Sequence, residues 1–141
     1  MALFHPPQVG TIVKCDFPSC FSPPEMVKNR AVIVINVKIP GREHMLTVVP
    51  ISNTPPSPEF AHHCLLPDRL LPHYMKDGQG RWVKGDMVYT LSTSRMSPIT
   101  RRDASSGKRV YEYPRLDLEH LRKVRACVAS ALGIGPELFS D

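Results

Sequence analysis

The feature that most constrains the fold of this chain is a pair of apolar runs, each with the length and composition of a β-strand. Ala31–Ile35 reads AVIVI and Met45–Ile51 reads MLTVVPI, and a Pro-Gly turn lies between them. Nearly continuous Val and Ile favours a strand that is covered on both faces or lies centrally in a barrel. Pairing of the two runs as a hairpin or meander would bring Arg30, before the first run, and Ser52, after the second, toward one surface.

Further short strands are predicted on either side of this pair, separated by loops rich in proline, glycine and serine. Gly85 interrupts the fifth of them and predicts a bulge or a close backbone approach. The predicted strands are Thr11–Phe17, Arg30–Val37, Met45–Ile51, Phe60–Leu66, Trp82–Ser92 and Val110–Tyr113, and the predicted loops include Pro18–Pro24 and Ser97–Lys108.

Leu116–Leu132 is the one stretch with good helical periodicity, and Asp117 and Gly133 are placed to cap its two ends. Many short strands followed by one helix predict a mainly β (α+β) fold: a small barrel of short antiparallel strands with a C-terminal helix. We predict one domain over residues 1–141, with strands over about 9–113 and a closing helix over about 117–132. The apolar stripe of the helix is Leu118, Leu121, Val124 or Arg125, Val128 and Leu132.

The charge balance of the chain limits its partners. The 141 residues carry a formal net charge of +5, and the sequence pI is about 9.2. This favours an anionic partner such as nucleic acid or an acidic protein, with a merely basic, soluble surface as the alternative. The first ten residues lack the features of a signal peptide, and no apolar run is long enough to span a membrane. We therefore expect a cytoplasmic protein with reduced thiols and no membrane contact.

Side-chain types that bind metal ions cluster at His62, His63 and Cys64. Adjacent residues on a strand point to opposite faces, so three in a row rarely share one ion. The sequence therefore predicts no metal site and no cofactor, and a metal site at this cluster is the alternative.

Four segments, in order along the chain, form a recognisable set. They are Val9–Phe17 (VGTIVKCDF), Glu25–Ile35 (EMVKNRAVIVI), Leu46–Ser52 (LTVVPIS) and the stretch from Lys84-Gly85-Asp86 to Ser94-Arg95. Together they resemble the MazF/PemK-like toxins of bacterial type II toxin–antitoxin systems. The resemblance implies an SH3-like barrel that forms a homodimer. It also implies a metal-independent endoribonuclease that cleaves single-stranded RNA such as mRNA and is neutralised by a cognate antitoxin.

The same resemblance places the family's key arginine at Arg30, where Ala31 follows in place of the family's proline. The key hydroxyl, usually a threonine in the family, is Ser52 here. Metal-free RNA cleavage uses the 2′-hydroxyl as nucleophile, and the donor fork of an arginine matches the phosphate oxygens. Ser52 is a poor base unaided, so its predicted role is to orient the substrate.

The general base stays open between Glu25, which is close to Arg30 in sequence, and Asp86, and the resemblance adds Arg30 itself as an acid or base. We take Glu25 into the predicted catalytic set with Arg30 and Ser52. The alternative function is a non-catalytic binding module of the same fold, which grips a protein target such as gyrase or binds only its antitoxin. The segment Pro55–Gly80 departs most from the family pattern, and we interpret it as an insertion over the active face. The predicted RNA contacts are Lys28, Asp86, Thr90 and Arg95.

Overall fold

The chain folds into nine β-strands and one α-helix in a computed structural model, which describes residues 3, 5–17 and 28–135. Short 3₁₀ turns at Asp68–Leu70, His73–Met75 and Thr93–Arg95 connect some of the strands. The strands are β1 (Ile12–Phe17), β2 (Lys28–Asn36), β3 (Met45–Ser52), β4 (His63–Leu66), β5 (Arg81–Lys84), β6 (Tyr89–Ser92), β7 (Met96–Ser97), β8 (Ile99–Arg102) and β9 (Arg109–Glu112), and the helix is α1 (Leu118–Ala131).

Seven of the strands form one antiparallel sheet in which β2 and β3 are central, as the apolar runs predict. The strand order is β4-β5-β3-β2-β1-β7, and β6 also pairs with β3. The hairpin of β8 and β9 is separate. Each residue from Ala31 to Ile35 is at most 7% exposed, so β2 is covered on both faces.

Alternate residues of the central strands enter two hydrophobic cores on opposite faces of the sheet. One core contains Ile33 and packs against α1 through residues such as Val124. The other contains Val32 and Met96. Because the turn Thr93–Arg95 joins β6, beside β3, to β7, beside β1, the sheet curls around this second core in the manner of a barrel.

Helix α1 has the predicted caps. The Asp117 carboxylate accepts a hydrogen bond from the His120 N–H at 2.8 Å, which satisfies a free donor of the first turn. Gly133 follows the helix with φ of +76°, a conformation that favours glycine. Within the described residues, no helix combines the length and the hydropathy of a membrane span.

The predicted apolar stripe of α1 is wrong at both ends. Leu121, Val124 and Val128 are buried, but Leu118 is 59% exposed and Leu132 is 62% exposed. The helix packs on β4 and β2, so only its middle turns lie over the sheet.

The prediction of one strand over Trp82–Ser92 is also wrong. The Met87 N–H donates to the Lys84 carbonyl at 3.0 Å and closes a turn that separates β5 from β6. The cause lies at Gly85, where a Cβ would come within 2.8 Å of backbone atoms of Cys127 and His62. The close backbone approach predicted at this glycine is confirmed.

The loop predicted over Ser97–Lys108 contains β8, which pairs with β9. Ile99 is fully buried, whereas Arg101 and Arg102 are exposed. A four-residue strand with one core side chain leaves too little alternation to separate it from a polar loop.

Candidate functional site

An open cavity of about 230 Å³ lies where β2 begins and β3 ends. Three separate segments form it: the start of β2, the end of β3 and the stretch that leads into β5. Two guanidinium groups and one phenol therefore share this depression, and no carboxylate is present among the described residues that line it. The lining residues are Arg30, Ala31, Ile51, Asn53, Tyr74, Met75 and Arg81.

The pairing of β2 with β3 brings Arg30 to this cavity. Val32 lies opposite Pro50, so two residues further along the strands Arg30 is level with Ser52. Arg30 is exposed, and no described carboxylate forms an ion pair with it. The Ser52 hydroxyl accepts a hydrogen bond from the Thr54 N–H at 3.1 Å, and the residues on either side of Ser52 line the cavity.

Arg81 is held in place by hydrogen bonds, whereas Arg30 has no ion pair among the described residues. Its Nη1 donates to the Asp77 carboxylate and to the Gly80 carbonyl, both at 2.9 Å, and its side chain is 12% exposed. The hydrogen bond from Arg81 is the main cause that lowers the pKa of Asp77. Both bonds use Nη1, so the donors on the other two guanidinium nitrogens remain available. Because the guanidinium is rigid and planar, these donors keep a fixed direction.

Tyr74 supplies the one phenol of the cavity. Its side chain is 56% exposed, yet partial burial raises the pKa of the phenol, with Arg81 lowering it and Glu112 raising it further. The group therefore keeps its proton at neutral pH and is a hydrogen-bond donor. The Lys14 ammonium lies 6.0 Å from the centroid of the Tyr74 ring, at the outer limit of a cation–π contact.

Lys14 also lines a second cavity of about 190 Å³, which extends the positive surface away from Tyr74. Glu112 lies nearby: its Oε2 accepts a hydrogen bond from the His73 N–H at 3.2 Å. Its Oε1 is 3.4 Å from the Arg101 Nε, an ion pair that lacks hydrogen-bond geometry. We define the basic track as Arg30, Arg81, Lys14 and Arg109, the cationic residues that line the two cavities.

Two of the predicted RNA contacts lie away from the Arg30 cavity. Asp86 follows the end of β5, and β5 alone spans about 10 Å from Arg81 to its last residue. The carboxylate of Asp86 is 3.8 Å from the ring of His62. The Thr90 hydroxyl is 3.0 Å from that of Thr47, at the start of β3 rather than its end.

Arg95 lies closer to the predicted arginine. Burial raises the pKa of the Cys15 thiol to about 11, and Arg95 is close enough to lower it in part. Cys15 is paired with Arg30 across β1 and β2, so Arg95 borders the same end of the sheet. Lys28 begins β2, and its side chain is outside the described part of the chain, as is the whole of Glu25.

Sequence reasoning missed the other basic residues of the two cavities, Arg81, Lys14 and Arg109, and also Asn53 and Tyr74. Tyr74 lies in Pro55–Gly80, the segment interpreted as an insertion. Its neighbours explain its position, since Leu70, Leu71 and Met75 are buried in the first core and hold the segment against the barrel. The alternation of buried core leucines with an exposed tyrosine is a weak signal, because 3₁₀ turns have no long period.

The fold and the cavity define a class of protein: a small, mainly antiparallel β-barrel with a C-terminal helix and a basic surface site suited to an anion. Residues 8–132 match the model of the family described as PemK-like, MazF-like toxins of type II toxin–antitoxin systems, and this chain belongs to that family. The family predicted from the sequence is thereby confirmed.

Two relatives and two solved structures illustrate the similarity. The chain is 29% identical over 140 residues to an uncharacterized protein of Haemophilus influenzae, covering 91% of each. It is 33% identical over 115 residues to the putative uncharacterized protein YifN of Escherichia coli, covering 69% of this chain and 76% of YifN. The crystal structure of MazF from Deinococcus radiodurans superposes with a TM-score of 0.61 at 18% identity, covering 92% of this chain and 99% of that one. An endoribonuclease in complex with its cognate antitoxin, from a mycobacterial species, superposes with a TM-score of 0.56 at 15% sequence identity. The match covers 92% of this chain and 97% of that one. The predicted mainly β barrel with a closing helix is confirmed.

Proposed function

We propose that this protein is the toxin of a type II toxin–antitoxin pair and that it cleaves single-stranded RNA without a metal ion. The observation that carries the proposal is the cavity at the end of β3, where Arg30, Arg81 and Tyr74 meet from separate segments. Two cationic forks and a protonated phenol are the groups that bind a phosphodiester and its transition state.

In the proposed reaction, the 2′-oxygen of the RNA forms a bond to phosphorus while the bond from phosphorus to the 5′-oxygen breaks. A base accepts the 2′ proton and an acid returns one to the leaving oxygen, so the products are a 2′,3′-cyclic phosphate and a 5′-hydroxyl. The dianionic phosphorane between them needs positive charge. Arg81 is preorganised to supply it, and Arg30, which has no competing described carboxylate, completes the pair. One such donor set contributes about 3 kcal/mol in a preorganised site.

The other groups at this end of the sheet have different proposed roles. Tyr74 donates a hydrogen bond to a phosphate oxygen, since its raised pKa keeps the phenol protonated. Ser52, level with Arg30 in the strand register, orients the substrate, and Glu25 is the proposed base. Asp86 is too far along β5 to share this phosphate.

The remaining proposals concern the path of the RNA and the partners. The RNA backbone follows the basic track toward Arg109, with Lys28 and Arg95 as further phosphate contacts. A net charge of +5 assists capture of the RNA. We also propose a cognate antitoxin, a homodimer and a cytoplasmic location. The similarity to an endoribonuclease solved with its antitoxin supports the first of these.

The test is the chemistry of the cut ends. Purified protein is incubated with a long single-stranded RNA in EDTA, and the ends are mapped. We expect discrete cuts that leave a cyclic phosphate and a 5′-hydroxyl. Ends that carry a 5′-phosphate would contradict attack by the 2′-hydroxyl, and intact RNA would favour the non-catalytic binding module.

A further inference from the structure

A cluster of metal-ligand side chains lies beyond the far end of β5, away from the Arg30 cavity. His62, His63 and Asp86 each offer one ligand atom, and these atoms all lie within 4.8 Å of one another. The His62 Nε2 is 3.8 Å from the Asp86 carboxylate, and the two imidazole rings have centroids 4.2 Å apart.

The strand alternation that argued against a metal site does not apply to this pair of histidines. His62 lies in the turn before β4, and His63 is the first residue of β4. The His63 N–H donates to the Phe60 carbonyl at 3.0 Å, which closes the turn and lets both rings face the same side. The Gly85 N–H donates to the His62 carbonyl at 2.9 Å, which fixes the Asp86 turn beside them. Cys64, the third candidate in the sequence, instead forms a thiol hydrogen bond with Cys127.

We propose that His62, His63 and Asp86 bind one divalent transition-metal ion of the zinc type. Two imidazoles and one carboxylate are a donor set that zinc and its neighbours accept, with the remaining position open to water. Zinc–nitrogen bonds of about 2.0–2.1 Å in a tetrahedral arrangement place donor atoms about 3.3 Å apart. Asp86, whose side chain is 48% exposed, can move the required distance because the described chain packs little against it.

The hydrogen bond that the His63 ring accepts should break when a metal ion binds, and this change can be measured. The Phe60 N–H donates to the His63 Nδ1 at 3.0 Å. A metal at Nδ1 would occupy the lone pair that now accepts this bond. A metal at Nε2 would leave the ring proton on Nδ1, so Nδ1 could no longer accept a hydrogen bond from Phe60. Either way the bond breaks, and the exposed Phe60 turns its N–H to water.

A bound ion would crosslink the start of β4 to the turn after β5. Within the described part of the chain the site shares no residue with the Arg30 cavity, so we expect RNA cleavage not to require its occupancy. The ligand it takes is the ion itself, coordinated directly by the three side chains.

The test is a titration of Zn²⁺ into the full chain after treatment with a chelator and removal of the chelator. Calorimetry should give one ion per chain. His62→Gln and Asp86→Asn should each weaken binding at least about tenfold, since even indirect partners of a ligand contribute roughly 10–100-fold. His44→Gln, at an exposed histidine of the β2–β3 loop, is the matched control and should bind as the wild type does. In the wild type, the amide proton of Phe60 should exchange faster once zinc is bound.

A Cys64→Ser variant separates this site from a thiolate site at Cys64 and Cys127. Retained binding in Cys64→Ser, with loss in Asp86→Asn, supports the proposal. Loss in Cys64→Ser with retention in Asp86→Asn overturns it, and so does a folded wild type that binds no zinc. Circular dichroism establishes that each variant is folded before its binding is compared.

Discussion

The two ends of β5 face opposite kinds of ion. At its start, Arg81 joins Tyr74 and Arg30 in a cavity lined by cationic groups and a phenol. After the strand, Asp86 joins His62 and His63 in a cluster of neutral and anionic ligands. One short strand, pinned between β3 and β4, thus separates a site suited to phosphate from a site suited to a metal cation. Residues at the two ends of this strand thus belong to different sites, and among the described residues no side chain contributes to both.

The largest expected effect is on the Arg30 cavity, the site suited to phosphate. Arg30→Ala should lower the rate of RNA cleavage by about 10²–10³-fold, because it removes a charged donor from the developing phosphorane. The rate is measured on a single-stranded RNA under single-turnover conditions. Arg122→Ala, at an exposed arginine of α1, is the matched control and should leave the rate unchanged. Equal rates for wild type and Arg30→Ala would remove Arg30 from the mechanism.

A smaller effect is expected when the Tyr74 hydroxyl is removed from the same cavity. Tyr74→Phe should lower the cleavage rate by roughly 2–10-fold, as expected for one hydrogen bond of about 0.5–1.5 kcal/mol. The same assay measures it, with Tyr113→Phe at another exposed tyrosine as the control. A loss as large as that of Arg30→Ala would instead give Tyr74 a proton-transfer role.

At the cation end, Gly85→Ala tests the packing that fixes the Asp86 turn. A Cβ there would lie 2.8 Å from backbone atoms of Cys127 and His62, so the turn or α1 must shift. We expect the free energy of unfolding to fall by about 1–3 kcal/mol, measured by urea denaturation. Cleavage per folded molecule should not change, and a large loss of cleavage would show that the two ends of β5 are coupled.

The smallest expected effect lies at the N-terminal cap of α1, outside both sites. The pKa of Asp117 is lowered from 3.8 to about 2, chiefly by the hydrogen bond from the His120 N–H and then by the His120 ring and Arg69. The folded-state pKa is the lower one, so this stabilisation is present above pH 3.8 and is lost as the pH falls through about 2. Asp117→Ala should lower the Tm by a few degrees at neutral pH and flatten its acid dependence. Thermal melts from neutral pH down to about pH 2 measure both effects, and an unchanged acid dependence would contradict the assignment.

The barrel strands could be predicted because their residues are dictated by the core. The Val and Ile runs of β2 and β3 and the cap at Asp117 have local signals in the sequence, and these signals predict the observed elements. Tyr74 and Arg81 lie on 3₁₀ turns and a short strand, and the buried Leu71 and Met75 that place them show no period. Arg30 could be identified by resemblance, but the residues that surround it could not, since their proximity depends on tertiary packing of a segment with no local pattern.

The most direct measurement is the cleavage rate in EDTA for three proteins side by side: wild type, Arg30→Ala and His62→Gln. The account predicts that the wild type and His62→Gln cleave equally well, and that only Arg30→Ala is slower, by about 10²–10³-fold. Loss of cleavage in EDTA, or in His62→Gln, would contradict the separation of the two sites. Retained cleavage in Arg30→Ala would contradict the proposed role of the Arg30 cavity.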